Sequence, residues 1–317
     1  MAAPWKLGMF QSAGPMGMWK LPENRSTDYL DLEYWVTMAR RCEQAGVDFL
    51  FLADDYGYPI VDDAVPPAAI RGAIQFPKAD PMAILPALAA VTDRLGLAVT
   101  LSTMVEKPPM VARKLATLDH LTRGRIGWNI VTGAGQNASA RLFGIPLTDH
   151  DKRYEIATDH VDLSLKLWEG SWDDDGLAVD RERGVFADPD KVHYANYEGK
   201  YVRTRGPLSI PRSAQGRPVL MQAGSSDRGR AFAARWAEVI FTAQRGIGDM
   251  RDFAADIRDR MQARGRAPGD CAILPAISVV LGETESIARE RAEYLHVFSR
   301  DHGCPSNRGI AGTAYSK

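Results

Sequence analysis

The chain is short of the features that assign a function at sight. It holds three cysteines in 317 residues, Cys42, Cys271 and Cys304. Odd in number, widely spaced and free of any metal-ligand pattern, they exclude a disulfide framework and a zinc site and fit a reducing compartment. Lys and Arg number 39 against 40 Asp and Glu, a formal net charge of -1. Without a basic excess or stripe, a nucleic-acid surface is not expected. No run approaches the roughly 18 apolar residues of a membrane span, and Met1-Ala2-Ala3-Pro4-Trp5-Lys6 lacks the basic start and apolar core of a signal peptide. The expectation is a cytoplasmic protein with neither membrane nor nucleic acid as partner. A Ser-His-Asp order, a dinucleotide fingerprint and a Schiff-base lysine at a strand end are missing as well. With 45% hydrophobic and 25% charged residues, the chain can still bury a substantial core.

What is present is alternation. Lys6 to Gln11 reads as a strand, followed by a turn-rich loop from Gly14 to Pro22. Helical periodicity runs from about Tyr29 to Ala45, entered through Ser26-Thr27-Asp28 and stopped by Gly46. Asp48 to Ala53 is the second strand. Asp80-Pro81 is an N-cap and first-position pair for a helix reaching Leu95, and Leu97 to Ser102 is strand three. A helix from Pro108 to Leu121 leads into Arg125 to Gly133, an apolar β-branched run with the signature of a buried parallel strand. Asp149 to Trp168 is helical, and Ser171 to Arg205 reads as an inserted hairpin. Pro218 to Ala223 is a strand followed by a helix from Asp227 to about Trp236. Strand Ala237 to Gln244, helix Gly248 to Arg264, strand Cys271 to Leu281 and helix Thr284 to about Leu295 complete seven strand-helix units.

Such alternation predicts a parallel sheet with right-handed crossovers. The expected fold is an α/β, TIM-type (β/α)8 barrel lacking its eighth strand. Its expected domain is 1-298, with 171-217 as an insertion and 299-317 as an irregular tail. An open barrel exposes the edges of its first and seventh strands. The tail, a partner or the remainder of a longer chain would have to cover them.

Barrels of this kind hold ligands at the C-terminal ends of their strands. Asp54 stands at that end of strand two, Thr100 near the end of strand three and Asn129 near the end of strand four. Two of them have a plain alternative, Asp54 as a turn or cap residue and Asn129 as a loop tie. His150 and Tyr154, four apart, share a face in the first turn of a helix, where free N–H groups and the dipole favour anions. That face could equally pack on the barrel wall. Gly224-Ser225-Ser226 feeds a helix N-terminus, a phosphate-binding arrangement in which Ser225 or Ser226 could also be an ordinary N-cap. No residue is assigned a catalytic role, and no metal site is expected.

Several stretches together carry a resemblance: Leu118-Asp119-His120-Leu121-Thr122-Arg123-Gly124-Arg125-Ile126-Gly127-Trp128-Asn129-Ile130-Val131-Thr132, His150-Asp151-Lys152-Arg153-Tyr154, Lys191-Val192-His193, Arg205-Gly206-Pro207-Leu208 with Pro211 to Val219, and Gln222-Ala223-Gly224-Ser225-Ser226. The chain resembles the bacterial luciferase-like flavin monooxygenases, in the branch of the nitrilotriacetate, EDTA and dibenzothiophene-sulfone enzymes. The resemblance implies a two-component monooxygenase taking reduced FMN from a separate NAD(P)H:flavin reductase. It implies further that a flavin hydroperoxide forms with O2, that a small organic substrate is oxygenated and that the protein assembles as a homodimer. It also implies flavin contacts at Asp54, Thr100, Asn129, His150, Tyr154 and Ser225 or Ser226. Met18, Trp19 and Trp128 are candidates for an apolar wall over the ring, with ordinary packing as the alternative for each. Gly17 to Pro22 departs from the family's histidine-bearing first loop, so no substrate is implied. The alternatives are a deazaflavin-dependent oxidoreductase of the same superfamily and a truncated, non-catalytic flavin-binding protein.

Overall fold

The structure is a computed structural model describing residues 5–15, 19–133 and 136–301. Its strands in chain order are β1 (Gly8–Ser12), β2 (Phe49–Ala53), β3 (Gly96–Ser102), β4 (Ile126–Val131), β5 (Leu177–Asp180), β6 (Val185–Ala187), β7 (Tyr197–Glu198), β8 (Arg203–Thr204), β9 (Val219–Gln222), β10 (Val239–Thr242) and β11 (Ala272–Pro275). The helices are α1 (Leu32–Gln44), α2 (Pro67–Gly72), α3 (Pro81–Ala90), α4 (Pro108–Thr122), α5 (Gln136–Phe143), α6 (His150–Gly170), α7 (Asp227–Trp236), α8 (Ile247–Gln262) and α9 (Glu285–Asp301). This is the expected α/β alternation, and the seven main-sheet strands expected from the sequence are found among the described residues. The chain forms two compact units. One comprises Trp35–Gly57 and Asp80–Met221 with the N-terminal strand, and the other comprises Ser12–Tyr34, Tyr58–Ala79 and the chain from Gln222 onward. No described helix is long and apolar enough to cross a membrane.

In the first unit the strand order is β1-β2-β3-β4-β9. β2 and β3 pair in parallel from Phe49↔Gly96, and β3 and β4 from Leu97↔Ile126 to Ser102↔Val131. Gly96 is required at this contact, because a Cβ there would lie 2.9 Å from the Phe49 Cβ. Leu50, Leu52, Val99, Leu101 and Trp128 are wholly buried, and α4 packs against α6. Trp128 settles which way β4 faces. Its ring lies 6.0 Å from Trp168 and 5.7 Å from His160, both on α6, and its Nε1 donates to the Leu101 carbonyl at 3.2 Å. Because successive side chains of a strand point to opposite faces, Asn129 and its register partner Thr100 occupy the face away from α6.

Several boundaries differ from the sequence reading. Asp31, and not Ser26 to Asp28, opens α1: its Oδ1 accepts from the Glu33 N–H at 3.0 Å, while Ser26–Asp28 form a separate 3-10 turn. α3 stops at Ala90 instead of Leu95, because the Glu43 carboxylate of α1 accepts from the N–H groups of Asp93, Arg94 and Leu95 at 2.9, 2.6 and 2.9 Å. Those donors are therefore not available to a helix. The single inserted hairpin is two antiparallel ladders, β5-β6 and β7-β8. The short helix α5 was not anticipated.

In the second unit β10 pairs with β11 in parallel from Val239↔Ala272 to Thr242↔Pro275. Strand β11 is four residues long where the apolar run to Leu281 suggested more. Pro275 has no N–H to continue the ladder, and Ile277, Val279 and Leu281 lie 72%, 66% and 73% exposed. α7 and α8 cover this pair through Ala233, Ala234, Phe253, Ile257 and Met261, packed with Ile240 and Cys271. Burial pushes the Cys271 thiol up to about 11. The final helix continues to Asp301, and the rest of the expected tail lies outside the described residues.

Candidate functional site

Register brings two of the sequence candidates together. Asn129 Nδ2 donates to Thr100 Oγ1 at 2.9 Å, and the two residues are 3% and 1% exposed. The other amide atom, Asn129 Oδ1, is buried and meets no partner among the described residues. A buried acceptor left unpaired costs about 1–3 kcal/mol, and in native proteins such atoms are few. Asn129 is thus tied to the neighbouring strand β3 and not to a loop. Trp128, by contrast, is on the helix side of the strand, so it cannot be an apolar wall on the face that carries Asn129.

At the end of β2, Asp54 turns its own loop. Its Oδ1 accepts from the N–H groups of Asp55 at 2.8 Å and Tyr56 at 3.1 Å. This holds Tyr56 at φ 57, a left-handed conformation rarely adopted without a reason. The Tyr56 hydroxyl approaches Glu106 Oε1 at 3.5 Å, and Glu106 also receives Lys114 Nζ on both oxygens, at 3.0 and 3.1 Å. Phe143 of α5 lies 5.9 Å from the Tyr56 ring. Burial, then the negative charge of Glu106, raises the Tyr56 pKa well above its ordinary value, so this hydroxyl is a donor and not a base. The loops after β2, β3 and β4 are thereby joined at the strand ends. Sequence reading missed Tyr56, Glu106 and Lys114, since no periodicity links residues 50 and 8 positions apart.

Beneath this network His160 contacts the Glu106 carbonyl through Nε2 at 3.0 Å. Burial pushes its pKa down to about 4 from 6.5. The unfolded histidine takes up a proton below 6.5 while the folded one stays neutral until about 4, so stability is lost as pH falls through that window. Thermal unfolding measured from pH 7 to 4 is expected to show this decline, and His160→Gln, which keeps an N–H donor, should flatten it. Equal slopes for the two proteins would contradict the assignment.

His150 and Tyr154 share a face, as their spacing required: the rings are 5.2 Å apart, edge to face. They lie in the first two turns of α6, with His150 exposed and its Nδ1 2.9 Å from Asp151 Oδ1. Tyr154 is half-buried.

The two serines, in the second unit, have different surroundings. Ser226 is the N-cap of α7, its Oγ accepting from the Gly229 N–H at 3.1 Å. Ser225 lines a polar cavity of about 530 Å³ with Arg230, Gln244, Asp249, Asp252 and Phe253. Arg230 pairs through Nη1 with Asp256 at 3.0 Å, while its buried Nε has no partner among the described residues. Gln222, four residues before the cap, is 4% exposed, and its Oε1 is likewise unmet among the described residues. Its place at the end of a strand was the available signal, and it was not singled out. Trp19 donates from Nε1 to the Gly72 carbonyl at 3.0 Å. Met18, also expected near the site, lies outside the described residues.

A family model described as luciferase-like monooxygenase matches residues 8–314. The long-chain alkane monooxygenase of Geobacillus thermodenitrificans is 40% identical over 300 residues, covering 94% of this chain and 68% of that protein. The dibenzothiophene-sulfone monooxygenase of Rhodococcus erythropolis is 41% identical over 301 residues, with 92% and 65% covered. A solved riboflavin lyase, with modified FMN and its substrate riboflavin, superposes with a TM-score of 0.89 at 39% identity, covering 92% of this chain and 66% of that one. The chain thus spans about two thirds of the length of these relatives. Given this match along nearly all of its length, the chain belongs to the luciferase-like monooxygenase family.

Proposed function

We propose that the chain is the oxygenating component of a two-component system in the cytoplasm, binding reduced FMN from a separate NAD(P)H:flavin reductase and inserting oxygen from O2 into a small organic substrate. The observation that carries this reading is the buried Thr100–Asn129 pair with its unmet acceptor near the C-terminal ends of β3 and β4, where α/β barrels take their ligands. A ligand donor reaching Oδ1 removes the cost of leaving that atom unpaired. The names of the relatives, alkane and sulfone monooxygenases and a lyase seen with FMN, support a flavin in preference to a deazaflavin.

Reduced FMN, when bound, supplies the electrons that activate O2. The chain's residues have the tasks of holding, orienting and drying the site. Thr100 and Asn129 fix the ring, and His150 and Tyr154 grip the ligand from the start of α6. Ser225, next to the N-terminus of α7, holds the phosphate while Ser226 shapes the turn as its cap. Asp54 acts through the loop it closes around Tyr56. The assembled protein is a homodimer on this reading.

The test is binding followed by turnover. FMN titration should give saturable binding, and His150→Ala combined with Tyr154→Phe should weaken it by about ten- to a hundredfold. With a flavin reductase, NADH and 18O2, a panel of alkanes, sulfones and aminopolycarboxylates should yield a product carrying one labelled oxygen. Absence of both FMN binding and label would end the proposal, and tighter binding of a deazaflavin would move it to hydride transfer.

A further inference from the structure

Helix α5 buries its small side chains and shows its large ones. Ala138, Ser139 and Ala140 are buried, whereas Leu142 and Phe143 are 58% and 47% exposed, and Leu147 in the loop that follows is 67% exposed. A helix that only covers a core turns its large apolar side chains inward, and apolar groups exposed close together mark a surface with an occupant. The surface stands among the strand-end loops. The Phe143 ring lies 5.9 Å from that of Tyr56, which follows β2, with 54° between the ring planes. The Tyr56 hydroxyl approaches Glu106 Oε1 at 3.5 Å, so its polar end is engaged with the Glu106–Lys114 pair and its ring is what Phe143 meets.

The charge around this corner narrows what the surface takes. Glu106, Asp54 and Asp80 all act on Tyr56 as negative charges, and the Lys114 ammonium is already engaged by both oxygens of Glu106, at 3.0 and 3.1 Å. A polycarboxylate would be repelled here and would leave the phenyl and leucine side chains in water. An uncharged apolar molecule meets neither cost, and covering Phe143 and Leu142 removes apolar area from water. The corner also lies at the C-terminal ends of the strands, where α/β barrels take small molecules, so an apolar small molecule accounts for both its polarity and its place. We propose that Phe143, with Leu142 and Leu147 beside it in the chain and the Tyr56 ring against it, forms the wall that receives the apolar part of the substrate, and that the substrate is an uncharged hydrocarbon or sulfone and not an aminopolycarboxylate. The proposal rests on the oxygenase reading above and adds to it the substrate class and the residues that select it.

Equilibrium dialysis of the full chain, loaded with oxidised FMN, against octane, dibenzothiophene sulfone and nitrilotriacetate tests this without turnover. The wild-type chain should bind at least one of the two apolar probes with saturation, about tenfold or more tightly than nitrilotriacetate. Phe143→Ser should weaken that apolar probe by about ten- to a hundredfold and narrow the preference, with FMN fluorescence titration and circular dichroism as controls. Phe143→Leu, which restores apolar area, should recover most of the binding. Should Phe143→Ser not fold, Leu142→Ser, at a more exposed position, decides by the same measurement. Apolar binding unchanged in the serine variant overturns the wall, and tighter binding of nitrilotriacetate by the wild-type chain overturns the substrate class. A molar mass by light scattering that halves in Phe143→Ser while apolar binding persists assigns the surface to contact between copies, which overturns the proposal as well. Failure to bind either apolar probe with FMN in place overturns this proposal alone. Failure to bind FMN overturns the oxygenase reading itself.

Discussion

Replacing Asp159 by leucine is expected to destabilise the protein by about 3–5 kcal/mol and to release the β7-β8 hairpin for proteolysis. Asp159 projects from α6 and is 7% exposed. One carboxylate oxygen accepts from the Tyr197 hydroxyl at 2.5 Å, and the other accepts from the N–H groups of Tyr201 at 2.5 Å and Val202 at 2.9 Å. The hairpin is so close that any Cβ at Gly199 would collide with this carboxylate. Burial alone would raise the Asp159 pKa, but the three donors outweigh it and hold the group below its ordinary range. Its contribution is therefore complete above the usual carboxylate pKa and is lost as pH falls through the depressed folded value. Leucine would leave three donors facing an apolar side chain. Trypsin should then cut at Lys200 or Arg203, and the unfolding midpoint should fall. Asp159→Asn, of nearly the same shape, should give an intermediate loss whose acid-side slope is shallower than that of the wild type. Cleavage and midpoint both unchanged in the leucine variant would refute the anchoring role.

Arg125→Met is expected to cost about 3 kcal/mol, again through groups left without partners. The Arg125 guanidinium donates from Nε to the Thr122 carbonyl at 2.8 Å, and from Nη1 to the Leu95 carbonyl at 2.7 Å and Thr92 Oγ1 at 3.0 Å. Nη2 reaches the Thr92 carbonyl at 2.9 Å and the Ala89 carbonyl at 3.2 Å. The fork thus collects carbonyls from the ends of α3 and α4, while Glu43 collects the amides of the same α3–β3 connection. Desolvation lowers the Arg125 pKa, with the Glu43 charge opposing it. Lysine offers one ammonium instead of a planar set of five donors, so Arg125→Lys should recover less than half of the loss in urea unfolding. A lysine variant equal to the wild type would show that charge, and not the fork, is what the site needs.

Much of the fold was legible from the chain. The alternation of strand and helix, the count of seven strands and the limits of α7, Asp227 to Trp236, all follow from signals carried within a few residues: a Ser N-cap, a Gly stop, a Pro at the first turn, a β-branched run. The Asp80-Pro81 start was readable in the same way, and the structure shows Asp80 Oδ1 accepting from the Met82 N–H at 2.8 Å. The site was legible only in part. Thr100 and Asn129 stood out singly as polar residues near strand ends, but their bond was not visible. Tyr56, Glu106 and Lys114 gave no local sign at all.

The sequence by itself determined where the elements lie and which residues stand at the C-terminal ends of strands, because capping, turn chemistry and apolar period act over a few neighbouring positions. The tertiary structure decided the rest. It turned Trp128 toward α6 and Asn129 away from it, since an alternating pattern defines two faces but does not say which one the helices will cover. It stopped α3 at Ala90 with a carboxylate from another helix, and it gave Asn129 its partner on the neighbouring strand, 29 residues away. Partners at such separations are chosen by strand register and packing, which belong to the folded chain and to no short stretch of it.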